Sequence, residues 1–191
     1  MSYSKLFFVS VSATATVLMV FFFATNVTDR GYVRRKSEPS LQNIGPGVFL
    51  TAQLWPERVT SLSAKGVKTI VDMRPDGEEP DQPTSTDMER AAKNNGLSFY
   101  YVPVPHESIP DTAVESLREI LAHGGGPIVL YCRTGRRAVR LFALSEASRL
   151  EGPGCQSILD TVKAAGFSAE DLQDRITQRI SQRSVIQPDK K

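Results

Sequence analysis

Beyond Gly47, short apolar runs alternate with longer segments in which apolar residues recur every three or four positions. Runs of the first kind read as buried strands, and segments of the second kind as amphipathic helices. Val48, Phe49 and Leu50 form the first short strand. Residues 56–64 open at Pro56 and stop at Gly66, which predicts a helix. The β-branched stretch 67–73 predicts a strand, followed by a charged, proline- and glycine-containing loop over 74–83. Residues 84–95 predict a helix with Thr84 or Ser85 as its cap and Gly96 as its stop. A strand over 97–104 and an amphipathic helix over 111–123 follow, the latter closed by three glycines, 124–126. Ile128 to Tyr131 is the most apolar strand and is expected at the sheet centre. Helices are expected over 137–150, 155–165 and 169–181. Strands alternating with helices predict an α/β fold: a mostly parallel central sheet of four to five strands flanked by helices.

The N-terminus has a different pattern. From Leu6 to Val27 there is no charge and most residues are apolar, long enough to cross a bilayer core, which takes about 20 residues in a helix. The expectation is one hydrophobic helix over residues 1–27, a single-pass anchor, with membrane contact through residues 6–27. A cleaved signal segment is the alternative, weakened by a poor cleavage site around Phe22, Phe23 and Ala24. A buried helix of a soluble protein is the third reading. Arg30, Arg34, Arg35 and Lys36 follow the run and place the globular part in the cytoplasm. Lys5 and the N-terminal amine argue for the opposite, periplasmic side. The expected organisation is a membrane or signal segment at 1–27, a linker at 28–45, the α/β domain at 46–181 and a tail at 182–191.

Composition narrows the function classes. The 191 residues carry a formal net charge of only +2, and no basic stripe interleaved with aromatics is visible, so no nucleic-acid partner is expected. Two cysteines, Cys132 and Cys155, are too few for a disulfide framework to be expected. His106 and His123 fit no metal-ligand spacing, so neither a metal nor a cofactor is expected.

The chemistry concentrates at Tyr131-Cys132-Arg133-Thr134-Gly135-Arg136-Arg137. A strand, a tight loop opening on a cysteine and a helix start aim backbone amides and guanidinium groups at one small volume. That is an anion site, and it stabilises a thiolate. Cys132 is the candidate nucleophile. Arg137 is the candidate to grip phosphate oxygens bidentately. Arg133, Thr134, Gly135 and Arg136 would contribute backbone amides to substrate binding, with Gly135 supplying the permissive dihedral. Arg74 and Glu78 lie at another strand's end, facing the same crevice, where Glu78 either orients a loop arginine or belongs to a solvated turn. Cys155 is either a resolving thiol or an incidental, half-buried residue.

These residues resemble a known group. The strand-Cys-loop-Arg-helix arrangement is similar to the active loop of cysteine-dependent phosphatases and rhodaneses. More specifically, the chain resembles the bacterial β-lactamase hydrolase-like, protein-phosphatase-like domain. Residues 71–79 (VDMRPDGEE), 99–104 (FYYVPV) and 131–137 carry the match, which covers roughly residues 44–168. The resemblance implies a phosphatase-like fold and a phosphorylated small molecule, protein or lipid as substrate. It also implies a general acid in the loop 105–111, where His106 falls nearest the usual aspartate position and Glu107 and Asp111 are neighbours. Glu107 is the favoured acid, because Asp111 also suits a helix N-cap.

The chain departs from typical tyrosine phosphatases in three places. Tyr131 stands where a histidine precedes the cysteine, four rather than five residues separate Cys132 from Arg137, and Ala138 replaces a hydroxyl residue. Three functions follow. The first is a phosphoric-monoester hydrolase with a thiophosphate intermediate at Cys132. The second is a sulfurtransferase carrying a persulfide there, which the short interval and Ala138 favour somewhat. The third is a catalytically weak anion sensor tethered to the membrane.

Overall fold

Residues 37–183 are described by the computed structural model of the chain. Five strands form one sheet: β1 (Gln42–Gly45), β2 (Val48–Thr51), β3 (Thr69–Asp72), β4 (Ser98–Tyr101) and β5 (Ile128–Tyr131). Their spatial order is β1-β2-β5-β3-β4, with β1 antiparallel to β2 and every other pair parallel. The expected α/β architecture is therefore a mixed, mostly parallel sheet. β5 is central, with Ile128 opposite both Val48 and Thr69 and Tyr131 opposite both Thr51 and Asp72.

Six α-helices cover the sheet among the described residues: α1 (Val59–Ala64), α2 (Ser85–Asn94), α3 (Asp111–His123), α4 (Arg136–Ser148), α5 (Cys155–Ala164) and α6 (Gln173–Gln182). Strand alternation sorts the core into two layers. Leu50, Val71, Leu130 and Cys132 face the layer built by α3, α4, α5 and α6. Ile70, Val129 and Tyr131 face α1 and α2, through Val59, Leu62, Met88 and Ala92. Thr84 caps α2, its hydroxyl accepting from the Asp87 amide at 3.1 Å, as its sequence predicts.

The structure changes several expectations. Gln42–Gly45, expected as linker, is strand β1, because β2 presents a free ladder edge that the preceding segment can pair after a tight turn at Gly47. The strands expected at 67–73 and 97–104 are shorter as regular strand, spanning 69–72 and 98–101. Asp111 does not cap α3; Pro110 holds that place, and Asp111 pairs with Arg175 and Arg179 of α6.

The single-pass membrane placement is also corrected. Among the described residues no helix is long and apolar enough to cross a membrane. The anchor or signal segment at 1–27 and the residues counted as membrane contacts at 6–27 lie outside the described residues.

Candidate active site

The parallel strands β2, β3, β4 and β5 all end on one side of the sheet. The loops at 52–55, 73–84, 102–110 and 132–135 therefore meet there, where open α/β sheets bind ligands. Backbone bonds hold the loops in place. The Gln53 amide donates to the Arg133 carbonyl at 3.2 Å, Met73 to Tyr131 at 2.9 Å, and Val104 to Met73 at 3.1 Å.

Cys132 begins the central loop. Its residue is only 1% exposed, so the sulfur is recessed below the loop rather than set at its mouth. The Gly135 amide donates to Cys132 Sγ at 3.2 Å. This bond needs the left-handed backbone of Gly135 (φ 94°, ψ −21°), which is the N-cap of α4. A residue with a Cβ reaches that conformation only at a cost. The sulfur thus sits at the N-terminus of a 13-residue helix, whose first amides lack intrahelical acceptors.

Arg137 lies in the first turn of α4 and is buried. Its guanidinium is clamped by Glu78: Nη1 donates to Oε1 at 2.5 Å and Nη2 to Oε2 at 2.8 Å. Nη1 also donates to the Val104 carbonyl at 2.8 Å. Burial opposes the guanidinium charge, but Glu78 and the Cys132 sulfur outweigh it, so Arg137 titrates above the ordinary arginine value. Glu78 therefore does orient the loop arginine.

Glu78 is itself held by a second arginine. Arg74 Nε donates to Glu78 Oε2 at 2.8 Å, and Arg74 Nη1 donates to Gln53 Oε1 at 2.7 Å. Burial pushes the Glu78 carboxyl up, but hydrogen bonds from Arg137 and Arg74 more than offset it and bring its pKa down to about 2. The carboxylate is thus ionised at any working pH.

Beneath this network lies Asp72, 2% exposed, with Oδ1 accepting from the Arg74 amide at 2.9 Å. Burial raises its pKa to about 6, against the lowering effect of Tyr131 and the Arg74 amide. Tyr131, opposite Asp72 in the ladder, points away from Cys132 into the α1–α2 layer. Its hydroxyl faces the Asp72 carboxylate without a well-aligned bond, and burial keeps it protonated far into the alkaline range. Tyr131 therefore occupies the position before the cysteine as a packing residue.

The remaining expected residues divide. Gly135 is buried, whereas Arg133, Thr134 and Arg136 are exposed. Arg133 is paired with Glu79 at 3.1 Å. Glu107, the favoured acid, is exposed on its loop and makes no hydrogen bond or ion pair among the described residues. His106 Nε2 instead lies 3.5 Å from Glu78 Oε1. Sequence reasoning missed Gln53, Asp72 and the clamping role of Arg74; the charged run 74–79 signals Arg74 alone of the three. Cys155 is at the far end of α4 from Cys132, near the Thr177 hydroxyl at 3.6 Å, so it does not act as a partner thiol to the site.

Comparisons with known proteins bear on the family and the fold. The family model described as "Beta-lactamase hydrolase-like protein, phosphatase-like domain" matches residues 40–149. A beta-lactamase hydrolase-like protein of Agrobacterium fabrum is 39% identical over 108 residues, 56% of this chain and 25% of that protein. The matched stretch thus spans about a quarter of that relative. Among solved structures, a candidate phosphatase from Neisseria meningitidis superposes with a TM-score of 0.62 at 28% identity, covering 72% of this chain and 96% of that one. The core catalytic domain of the PP-IP phosphatase SIW14 from S. cerevisiae gives a TM-score of 0.57 at 20% identity, covering 80% and 97%. At that identity the likeness is one of fold.

Proposed function

This chain belongs to the family of the beta-lactamase hydrolase-like protein, phosphatase-like domain, and we propose that it hydrolyses phosphate monoesters through Cys132. The observation that carries this reading is one juxtaposition. The Cys132 sulfur receives the Gly135 amide at a helix N-terminus, beside an arginine locked in place by Glu78.

The geometry supports a two-step reaction. The orphan amides at the start of α4 and the guanidinium of Arg137 receive the phosphoryl oxygens and match the charge that builds on them. Arg137 is pre-positioned, so little reorganisation is needed when substrate enters. The thiolate of Cys132 forms an S–P bond as the ester P–O bond breaks, and a group in the loop 105–111 protonates the departing oxygen. Water then displaces sulfur and releases phosphate. Ala138, buried behind the loop, offers no hydroxyl to ease that second step.

The test uses the full chain with an aryl phosphate. Release of the phenol is expected, and it falls to background in Cys132→Ser. Arg137→Lys, which keeps charge but loses the planar fork, costs on the order of 10²-fold in kcat/KM. Thiocyanate formation from thiosulfate and cyanide, with no phosphate release, would instead establish the sulfurtransferase reading.

A further inference from the structure

We propose that His106 is the general acid of this reaction, donating its Nε2 proton to the departing ester oxygen. The inference rests on the phosphatase reading above and adds the residue that reading leaves open.

Three residues of the loop at 105–111 carry a transferable proton, and the structure separates them. Asp111 is committed to Arg175 and Arg179 of α6 at the start of α3. Glu107 is exposed and makes no hydrogen bond or ion pair among the described residues. His106 alone touches the site, with Nε2 3.5 Å from Glu78 Oε1. The same Glu78 oxygen accepts from Arg137 Nη1, and that nitrogen also donates to the Val104 carbonyl, two residues before His106. One guanidinium therefore fixes the root of the loop and the carboxylate that the ring meets. The ring is 63% exposed, so it can swing from Glu78 to a bound ester without breaking any core packing.

The charged surroundings suit the task. Glu78 and Arg74 face the ring's side of the site from the loop after β3, and Arg137 faces it from α4. Glu78, the charge nearest to the ring, is held ionised. Its Oε1 is the acceptor that a proton on Nε2 meets, 3.5 Å away.

The chemistry balances in both halves. As the sulfur forms its bond to phosphorus, the P–O electron pair passes to the leaving oxygen, which takes the Nε2 proton. His106 is then neutral, and the alcohol or phenol departs uncharged. In the second half Nε2 accepts a proton from the attacking water, the S–P pair returns to Cys132, and phosphate leaves. Thiolate and imidazolium are both restored.

A general acid matters most when the leaving group is poor, and this sets the test. The full chain and its His106→Ala variant are assayed on phenyl phosphate and on 2,4-dinitrophenyl phosphate. The variant is expected to lose about 10²-fold in kcat/KM, which reports only the half in which the ester bond breaks, on the phenyl ester and to be nearly unaffected in kcat/KM on the dinitrophenyl ester. The alkaline limb of the wild-type kcat/KM profile should disappear with it. Equal losses on both esters would assign His106 a merely structural part and overturn the proposal. So would a leaving-group-dependent loss found in Glu107→Gln while His106→Ala is spared. A wild type inert on both esters would reject the phosphatase reading itself, and His106 as its acid along with it.

Discussion

Glu78 shows how much one side chain can decide. It pairs with two arginines that burial would otherwise leave costly, and it sets the plane of the guanidinium beside Cys132. Glu78→Gln keeps the shape but removes the charge, and an amide cannot accept from Arg137 through both of its arms. Loss of that alignment is expected to lower kcat/KM on the order of 10²-fold, as small misplacements at reacting centres do. Steady-state kinetics on an aryl phosphate read this directly, with kcat falling more than KM rises. The sequence exposed Glu78 only as part of a charged run, because its partner lies 59 positions away and no local pattern joins them. Cys132 and Arg137 were legible because they share one short loop with Gly135.

At the scale of elements, the junction of β5 and α4 holds the centre of the candidate site. A fully buried strand delivers Cys132, and the left-handed Gly135 turns the chain so that its amide meets the sulfur before the helix begins. A Cβ at Gly135 would stand 3.4 Å from Leu50 and Phe167, ordinary contact, so strain in the backbone rather than a clash is the obstacle. Gly135→Ala is expected to cost about 1 kcal/mol or more of stability and to weaken binding of inorganic phosphate as a competitive inhibitor. Denaturant melts and inhibition constants check the two parts. The helices at 111–123 and the strand at 128–131 matched their predicted bounds, since amphipathic period, a glycine stop and an unbroken apolar run are local signals. β1 escaped that reading. Its segment is polar, and only the unpaired edge of β2 makes it a strand.

For the whole molecule, the buried carboxyl of Asp72 and the half-buried one of Glu78 shape the pH dependence of stability in opposite ways. Glu78 is depressed from 4.5 to about 2, so its contribution is full above pH 4.5 and is lost as pH falls towards 2. Asp72 is raised from 3.8 to about 6, so its contribution is full below pH 3.8 and is lost as pH rises through 6. Each shift corresponds to roughly 3 kcal/mol at its limit. These two groups together place a stability maximum near pH 4 to 4.5. Asp72→Asn is expected to flatten the decline between about pH 4 and 6 and to leave the acid limb intact, measured by chemical denaturation across that range. The sequence by itself determined the alternation of strands and helices, the centrality of β5 and the cysteine loop, because periodicity and turn chemistry act over a few neighbouring residues. Tertiary structure alone decided that Glu78 grips Arg137, that Asp72 faces Tyr131 and that His106 rather than Glu107 meets the site. Those contacts depend on β5 lying between β2 and β3, a choice of neighbours made by the packing of whole faces.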